Sequence, residues 1–581
     1  MTPFLQFDFS GMEKNFANPI KVITARSIAD ADTAFNEVER ALNSGYYVAG
    51  FVSYEAAPAF DHNFAVNKKS SFPLVWFGVF AEETTSVPRQ ELSYNISSWR
   101  NTIINDHYDQ MMKKIKSLIK QGYTYQVNYT TRLCANFQGN SFQYYQQLRK
   151  NQQAPYSAFI DIDDYQILSI SPELFFQVND GMITTKPMKG TIKRGKTMEE
   201  DKQLQEQLHA SVKDRAENVM IVDLLRNDLG RIAKPGSVHV KKLFEIEQYP
   251  TVHQMTSTVE AEIEENKTVW DWFQALFPCG SITGAPKVET MKYIAEMETT
   301  PRDVYCGAIG WIGPDRQAIF NVPIRTVWID NNSGDAFYGT GSGVTWNSSS
   351  ASEYEEWMQK AAFLVENRPS FSLLESILLE NGEYPMLDYH LQRLMNSANY
   401  FSFHCKKEDL IEQLLTCANN IPEGKYKIRL LLNQDGNSTI ASEKIEQIKQ
   451  PIKAVLANEP VSIDNVFLYH KTTNREIYQQ FDQHLPQDYL TTLLWNENKQ
   501  ITEFTIGNVV FEKDGKFYTP PVTDGLLNGT LRAKLIEEKV LEVKQIYLTD
   551  IPQFDHIWFI NSVRGWLKVK LSQSNYSSSS L

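Results

Sequence analysis

The sequence lacks the features that mark secreted, zinc-binding, membrane and nucleic-acid-binding proteins. Its 581 residues include five cysteines, and none of them forms a CxxC pair. Neither a disulfide framework nor a zinc site is therefore expected. No apolar run approaches the roughly 20 residues that span a bilayer, so no membrane partner is expected. The formal net charge of −13 argues against nucleic acid as a partner, because that binding needs a basic surface.

The first residues, MTPFLQFDFSG, also lack the basic and apolar segments of a secretory signal. A cytoplasmic location is therefore predicted. The composition is that of an ordinary globular protein, with 42% apolar and 22% charged residues. An acidic exterior is compatible with a local cationic pocket for a small anionic substrate.

Length and pattern predict two modules, at residues 1–366 and 372–581, joined by the linker NRPSF at 367–371. Strands and helices are interspersed in both, which indicates an α+β class. The first module shows two strong helical patterns. One runs from Met198 and ends at Lys234-Pro235-Gly236, and the other begins with a capping box of Ser352 and Glu355.

The segment TTKPMKGTIKRG gathers cations around one lysine, Lys189, in a short turn. A lysine amine is a nucleophile only when it is unprotonated, and neighbouring cations or desolvation lower its pKa. The same cations would hold a carboxylate substrate. Composition alone favours the alternative, a surface loop whose lysines are solvated.

Carboxylates recur on one face of each predicted helix. Asp214 and Glu217 are three residues apart on the first, while Glu353 and Glu356 share a face of the second with Lys360. Oxygen ligands from two helices could hold Mg²⁺. Spacing alone, however, favours solvated carboxylates in ion pairs along each helix.

A series of motifs appears in one order: YTYQVNYTTRL, SPELFF, KPMKGTIKRG, DRAENVMIVDLLRNDLGRI, FPCGSITGAPKVETM and GTGSGVTWNSSSASEYEEWMQKA. This series resembles the chorismate-utilising enzymes, which include the anthranilate, aminodeoxychorismate, isochorismate and salicylate synthases. The resemblance covers about residues 95–366 and is loose before them. It implies a β core of two sheets flanked by helices.

The resemblance implies a covalent role for Lys189, because aminodeoxychorismate synthases carry lysine where anthranilate synthases carry alanine. The amine would add at C2 of chorismate and expel the C4 hydroxyl, and ammonia would then enter at C4 and release the lysine. Glu173 matches the general acid for the departing hydroxyl. Glu217 and Glu356 match Mg²⁺ ligands, with Asp214 and Glu353 as supporting carboxylates.

The resemblance also implies a set of contacts with chorismate, at Arg325, Gly341, Gly343, Lys360 and Thr283. His253 matches a histidine that is linked elsewhere in the family to pyruvate removal. Because this branch keeps pyruvate, a hydrogen-bonded core histidine is the alternative.

None of the five cysteines lies in a glutaminase-like turn. Ammonia is therefore expected from a separate glutaminase subunit, with free ammonia as the alternative.

The second module places Lys471, in HKTTNREIYQQF, ahead of an acidic residue and a Gly-Thr helix start. A lysine at such a position is usually a surface residue. The order nevertheless matches what pyridoxal phosphate requires: a Schiff-base amine, a carboxylate for the ring nitrogen and a phosphate site at a helix N-terminus.

This module resembles the fold-type IV pyridoxal-phosphate enzymes, which include aminodeoxychorismate lyase and several aminotransferases. An α/β module of two subdomains is implied over residues 372–570. Lys471 would bind the coenzyme, Glu503 would face its ring nitrogen, and its phosphate would be held by Arg393, Ile506, Gly507 and Thr530. A homodimer through this module is a further expectation.

The two resemblances predict a bifunctional enzyme that makes 4-aminobenzoate, a folate precursor, from chorismate and ammonia. Three alternatives stay open: an anthranilate-type or isochorismate-type synthase, an amino-acid transaminase in the second module, and a second module that only docks or dimerises.

Overall fold

The computed structural model describes residues 2–67, 70–85, 93–103, 105–483 and 485–572. The chain divides into two compact units. The first takes the described residues of Met1–Arg194 and Leu204–Arg368, and the second those of Gly195–Gln203 and Pro369–Leu581. No helix among the described residues is long and apolar enough to cross a membrane.

The strands of the first unit lie in two antiparallel sheets. They are β1 (Phe4–Phe9), β2 (Met12–Ala17), β3 (Lys21–Ala25), β4 (Tyr47–Val52), β5 (Val75–Phe80), β6 (Tyr94–Ile96), β7 (Arg100–Asn101), β8 (Gln126–Gly139), β9 (Tyr156–Asp161), β10 (Tyr165–Ser171), β11 (Leu174–Asn179), β12 (Met182–Lys186), β13 (Met188–Lys193), β14 (His239–Gln248), β15 (Val252–Glu262), β16 (Gly284–Ala285), β17 (Ala308–Ile312), β18 (Ala318–Asn321), β19 (Thr326–Asp330) and β20 (Asp335–Val344).

One sheet has the order β16-β8-β20-β19-β10-β9-β1-β2, and the other β13-β15-β12-β11-β18-β17-β4-β5-β3. Strands β6 and β7 also pair with β8, and β14 pairs with β15.

Nine helices of the described residues precede the linker. They are α1 (Ala31–Asn43), α2 (Ala57–Phe60), α3 (Asn105–Lys120), α4 (Ser141–Gln152), α5 (Met198–Ala210), α6 (Val212–Leu229), α7 (Val269–Leu276), α8 (Lys287–Met297) and α9 (Ser350–Ala361).

Side chains that point alternately to the two sides of a strand form apolar cores on both faces of the first sheet. In β9, Ala158 and Ile160 join the apolar cluster shared with the second sheet, which includes Phe51 and Trp311. Phe159, between them, points to the cluster formed with α4. Because successive strand side chains face opposite sides, a strand covered on both faces must be apolar throughout. The predicted two-sheet core flanked by helices is confirmed.

The predicted helix start at Met198 is confirmed, but that helix is divided in two, and the predicted cap of the other helix needs correction. The helix expected from Met198 to Lys234 is broken at Ser211, whose hydroxyl accepts a hydrogen bond from the Asp214 amide and begins α6. The cap of α9 is Ser349, with Ser352 as its partner in the capping box, and not Ser352 with Glu355. Several serines in a row satisfy the same capping pattern, and local sequence does not distinguish them.

The second unit contains a small antiparallel sheet and a larger mixed one. Its strands are β21 (Leu373–Glu380), β22 (Lys425–Leu432), β23 (Ser438–Lys444), β24 (Ile452–Leu456), β25 (Thr491–Trp495), β26 (Ile501–Phe504), β27 (Asn508–Lys513), β28 (Lys516–Thr519), β29 (Leu541–Val543), β30 (His556–Asn561) and β31 (Gly565–Ser572). Its helices are α10 (Leu387–Phe401), α11 (Lys407–Asn419), α12 (Glu476–Asp482) and α13 (Thr530–Glu537).

Each sheet of the second unit has its own apolar core. Strands β21, β22 and β23 pack against α10 and α11. The larger sheet has the order β26-β25-β24-β31-β30-β27-β28-β29 and is parallel where β24 meets β25 and β31. The expected division of this module into two subdomains agrees with these two cores.

Candidate active sites

The first unit encloses a cavity of about 860 Å³ that collects most of its predicted site residues. The wall is built from β13, the segment between β10 and β11, the start of β19, the end of β20, and helices α6 and α9. The predicted residues that line it are Glu173, Lys189, Asp214, Glu217, Arg325, Gly341, Gly343, Glu353, Glu356 and Lys360.

Glu173 lies where the chain crosses from one sheet to the other, and only 4% of its surface is exposed. The Ser281 hydroxyl donates a hydrogen bond to its Oε1 at 2.6 Å. Burial raises the pKa of Glu173 to about 6, although Ser281 and the charges of Lys189 and Lys360 oppose the rise. At that pKa roughly a tenth of the molecules carry this proton at pH 7, far more than for an ordinary carboxyl group, which supports a role as a general acid.

Lys189 points into the same cavity, and its Nζ donates to the Ser281 carbonyl at 3.2 Å. Burial lowers the pKa of this amine, and the charges of Glu173 and Glu217 oppose the change. The cations near Lys189 in sequence are partly engaged elsewhere, since Lys186 pairs with Glu247. Of the two causes considered from the sequence, neighbouring cations and desolvation, desolvation is the larger.

The turn after Lys189 allows α6 to approach closely. Gly190 has φ +94°, and a Cβ there would come within 2.8 Å of the Asp214 Cβ. Glycine is therefore required at this position both for the backbone conformation and for space. The close approach places the carboxylates of α6 beside the lysine turn.

The four predicted metal ligands line the cavity from α6 and α9. Among the described residues, no three His, Cys, Asp or Glu side chains are grouped closely enough to hold a metal ion. The buried Oε2 of Glu353 nevertheless has no hydrogen-bond partner in this part of the chain. Burial raises the pKa of Glu217, while the charges of Lys213 and Lys189 oppose the rise. This set of hard oxygen donors, one of them buried without a partner, fits Mg²⁺.

Another part of the cavity wall carries the positive charges of Lys360 and Arg325. Lys360 donates to the Gly341 carbonyl at 2.9 Å and pairs with Glu356 at 2.6 Å. Arg325 also lines the cavity, and burial lowers its pKa. These cations can hold carboxylate groups of a small substrate.

The two other predicted contacts are placed differently. Thr283 is fully buried, and its hydroxyl donates to the Gly280 carbonyl at 3.2 Å. His253 is fully buried on β15, opposite Ile192. Neither lines the cavity among the described residues. The prediction that Thr283 lines the pocket is therefore wrong, and His253 fits its alternative as a core residue.

The second unit has a cavity of about 420 Å³ at the carboxyl end of β26, beside β22 and the start of α13. All six residues predicted to hold the coenzyme line it, namely Arg393, Lys471, Glu503, Ile506, Gly507 and Thr530. They come from both subdomains of the unit.

The Lys471 backbone is attached to the small sheet, because its carbonyl accepts a hydrogen bond from the Leu374 amide at 2.9 Å. Burial, assisted by the charges of Arg393 and Arg475, lowers the pKa of its amine to about 8. A neutral amine that condenses with an aldehyde is therefore available near physiological pH.

Glu503 is buried at the end of β26 and is held at both oxygens. The Tyr478 hydroxyl donates to Oε1 at 2.9 Å, and the Asn508 amide donates to Oε2 at 3.2 Å. Burial raises the pKa of this carboxyl group to about 7, while the Tyr478 bond opposes the rise. A carboxylate in this position fits the protonated nitrogen of a pyridine ring.

The predicted phosphate site rests on a buried carboxylate. Glu375 accepts two hydrogen bonds from Arg393, at 2.9 and 2.7 Å, and one contact from His390 at 2.6 Å. The other His390 nitrogen lies 3.3 Å from the Thr530 hydroxyl at the N-terminus of α13. The Gly507 amide donates within its own turn, to the Phe504 carbonyl. Arg393 and the start of α13 thus line the same cavity, where a guanidinium group and a helix N-terminus can bind a phosphate.

Sequence reasoning missed four residues that hold these sites in place, namely Ser281, Glu375, His390 and Tyr478. Each of them acts through a hydrogen bond to a residue outside its own sequence motif, as His390 does with Glu375, 15 positions away. The HLQRL segment could have indicated His390, because residues three apart share a helix face.

Family models match both units. Residues 6–366 match the model described as chorismate binding enzyme, and residues 372–571 match the model of class IV amino-transferases.

Two curated relatives resemble the first unit. Aminodeoxychorismate synthase component 1 of Klebsiella aerogenes is 41% identical over 266 residues, which cover 45% of this chain and 58% of that protein. Anthranilate synthase component 1 of Aquifex aeolicus is 37% identical over 284 residues, covering 49% and 57%. The chain thus spans less than two thirds of the length of these relatives.

A solved structure shares the architecture of the first unit. Anthranilate synthase component I of Streptococcus pneumoniae aligns with a TM-score of 0.52 and 25% identity. The alignment covers 62% of this chain and 90% of that one.

Proposed function

We propose, because this chain belongs to the chorismate binding enzyme family, that it makes 4-aminobenzoate in two consecutive reactions. The first unit converts chorismate and ammonia to 4-amino-4-deoxychorismate and water. The second unit then eliminates pyruvate and leaves the aromatic product. The observation that carries the proposal is the pairing of Glu173 and Lys189 through Ser281 in one cavity.

In the first reaction, the neutral Lys189 amine forms a bond to C2 of chorismate and loses a proton. Glu173 gives its proton to the C4 hydroxyl, which leaves as water. Ammonia then forms the C4–N bond and gives up a proton, and the bond between Lys189 and C2 breaks as the departing lysine nitrogen takes up a proton. The lowered pKa of Lys189 and the raised pKa of Glu173 support these roles.

Glu217 and Glu356, supported by Asp214 and Glu353, would hold Mg²⁺ at one end of the cavity. The ion would supply positive charge for a carboxylate of chorismate. Lys360 and Arg325 would hold the substrate's anionic groups, which fixes the ring for attack by Lys189.

A separate glutaminase is the proposed source of ammonia. The name of the K. aerogenes relative describes a component, which supports a partner subunit. None of the five cysteines, whether buried like Cys279 and Cys306 or partly exposed, lies in a glycine-rich nucleophile turn. The partner would deliver ammonia to the first unit.

In the second reaction, Lys471, Glu503, Arg393 and Thr530 would hold pyridoxal phosphate, whose ring accepts electrons from the bond that is broken. The Lys471 amine takes the C4 proton of the aminated ring. As the ring becomes aromatic, the C3–O bond breaks and a proton from Lys471 completes the released pyruvate. The pKa of about 8 for Lys471 supports its use as a base.

The test supplies the purified full chain with chorismate, Mg²⁺, ammonium and pyridoxal phosphate. We expect equal amounts of 4-aminobenzoate and pyruvate, and accumulation of 4-amino-4-deoxychorismate when the coenzyme is withheld. Formation of anthranilate or isochorismate would reject the first reaction. A requirement for a keto-acid acceptor would instead identify the second unit as a transaminase.

A further inference from the structure

One residue contacts both reactive groups of the first cavity. The Ser281 hydroxyl donates to Glu173 Oε1 at 2.6 Å, while its backbone carbonyl accepts from Lys189 Nζ at 3.2 Å. Glu173 lies between β10 and β11 and Lys189 lies on β13, and the two have no other shared hydrogen-bond partner among the described residues. Their relative position therefore depends on the short helical turn Gly280–Ile282 that carries Ser281.

That turn is anchored by a buried ion pair. Arg302 pairs with Glu298 at 2.7 Å and donates to the Ile282 carbonyl at 2.8 Å. The Asn128 side chain donates to the same carbonyl at 3.0 Å. A backbone held on two sides has little freedom, so the Ser281 hydroxyl and carbonyl are presented in fixed directions.

The direction of the hydrogen bonds assigns different roles to the two Glu173 oxygens. The Cys279 sulfur lies 3.2 Å from the Ser281 hydroxyl oxygen, and burial raises the pKa of this thiol to about 12. The thiol is therefore protonated and can donate to Ser281, whose own hydrogen goes to Glu173 Oε1. The proton that Glu173 transfers is then carried by Oε2.

We propose, on the basis of the function proposed above, that Ser281 is the positioning residue that sets the acid and the nucleophile relative to each other. Its hydroxyl holds Oε1 of Glu173 and leaves Oε2 to protonate the departing hydroxyl. Its carbonyl binds one hydrogen of the Lys189 amine and so directs the nitrogen lone pair toward the substrate ring.

Other groups also act on Glu173 and must be kept constant in a test. The charges of Lys189 and Lys360 favour its anion. The buried thiols of Cys279 and Cys306 also lie close enough to interact with it electrostatically. Substitution at position 281 leaves all four groups in place.

Ser281→Ala removes the hydroxyl but keeps the carbonyl that contacts Lys189. We expect kcat for chorismate consumption to fall on the order of 10- to 100-fold, because Glu173 is misplaced. KM for chorismate should change by less than about twofold, since no substrate-binding cation is altered. The loss of a donor to the anion raises the pKa of Glu173, so the limb of the pH profile that reports it should move upward by about one unit.

Two further variants separate positioning from folding. Ser281→Thr keeps a hydroxyl and should restore kcat and the pH profile to within about threefold of wild type. Ser53→Ala is the matched control, because Ser53 is buried in the same unit and its hydroxyl donates to a carbonyl outside the cavity, that of Pro73. It should leave kcat and the profile unchanged. Rates are compared at a constant concentration of free ammonia.

A Ser281→Ala chain with the wild-type kcat and pH profile would overturn the proposal. So would a loss of activity that Thr does not rescue and that accompanies a lower Tm than in Ser53→Ala, because that result indicates a structural role. If the wild-type chain consumes no chorismate, the proposed function itself fails. The two failures are therefore distinguishable.

Discussion

At the scale of single residues, each of the two sites contains a lysine whose pKa is lowered by burial. Lys189 and Lys471 both have pKa values below the ordinary range, and burial is the main cause for each. Each lysine also has a buried carboxylate nearby, Glu173 or Glu503, whose pKa burial raises. An enclosed site thus brings the pKa values of an amine and an acid toward neutrality, where proton transfer between them is efficient.

The pKa of Lys471 predicts the pH dependence of coenzyme capture. Below about pH 8 the amine is protonated and unreactive, and above it the neutral amine is available. The rate at which the coenzyme-free chain develops the visible absorbance of lysine-bound pyridoxal phosphate should rise through pH 8 and then level off. Lys427→Met, which alters another lysine of the same cavity, should keep this midpoint. A midpoint near the ordinary value of 10.5 would contradict the prediction.

Glu375 predicts a phosphate-specific defect. Glu375→Gln removes the charge that orients Arg393 and His390, so we expect the Kd for pyridoxal phosphate to rise roughly 10- to 100-fold. The affinity for pyridoxal, which lacks the phosphate, should change little. Glu380→Gln is the control, because Glu380 lies on the same strand in an exposed pair with Lys425. Equal weakening of both ligands would show that Glu375 only supports the fold.

At the scale of elements, turns and helix ends determine where the side chains of the first site lie. The break at Ser211 starts α6 where Asp214 and Glu217 face the cavity. The turn at Gly190 brings β13 against that helix. The crossing from β10 to β11 places Glu173 between the sheets. Small changes in these connections should therefore affect activity more than similar changes in strand interiors.

Two glycines provide a matched test of that conclusion. Gly190 and Gly181 both have positive φ, but a Cβ at Gly181 would meet nothing within 4 Å, while one at Gly190 would meet Asp214. Alanine at either position should cost roughly 1–2 kcal/mol from the backbone alone, measured by urea unfolding. Gly190→Ala should in addition lower kcat for chorismate consumption at least tenfold, by about the effect of a 1 Å displacement at a reacting group. Equal activity of the two variants would show that the close approach to Asp214 is not needed.

At the scale of the whole molecule, each cavity is lined by described residues of one unit only. The two proposed reactions therefore do not share a catalytic group. The intermediate, 4-amino-4-deoxychorismate, can in principle be made by one molecule and consumed by another.

Mixing two inactive variants tests this independence. Lys189→Ala should make no 4-aminobenzoate from chorismate, yet convert supplied 4-amino-4-deoxychorismate at the wild-type rate. Lys471→Ala should accumulate that intermediate. The mixture should form 4-aminobenzoate, whereas a chain with both substitutions, mixed with Lys189→Ala, should form none. Product formation from chorismate by either single variant would contradict the assignment of the two lysines.

Local sequence was sufficient for features that depend on a few adjacent residues. The residues that line the two cavities were largely identifiable through the resemblance of their motifs to two known families, because composition and spacing alone favoured solvated side chains. Asp514 and Gly515 form the turn between β27 and β28 with positive φ at both positions, a conformation that aspartate and glycine adopt more readily than most residues. The sequence, read with its two resemblances, therefore predicted the fold class that the structure confirms and the candidate catalytic groups, whose roles stay predictions.

The tertiary structure decided the features that join distant parts of the chain. Ser281 and Glu173 are 108 positions apart, and no local pattern relates them. The burial that changes the pKa values of Lys189 and Lys471 also arises only when separate strands and helices enclose a cavity. Thr283 shows that a motif residue can also be placed outside the cavity, because its hydroxyl donates to the Gly280 carbonyl. Motifs specify which groups are available, but solvent exclusion and long-range hydrogen bonds determine what those groups can do.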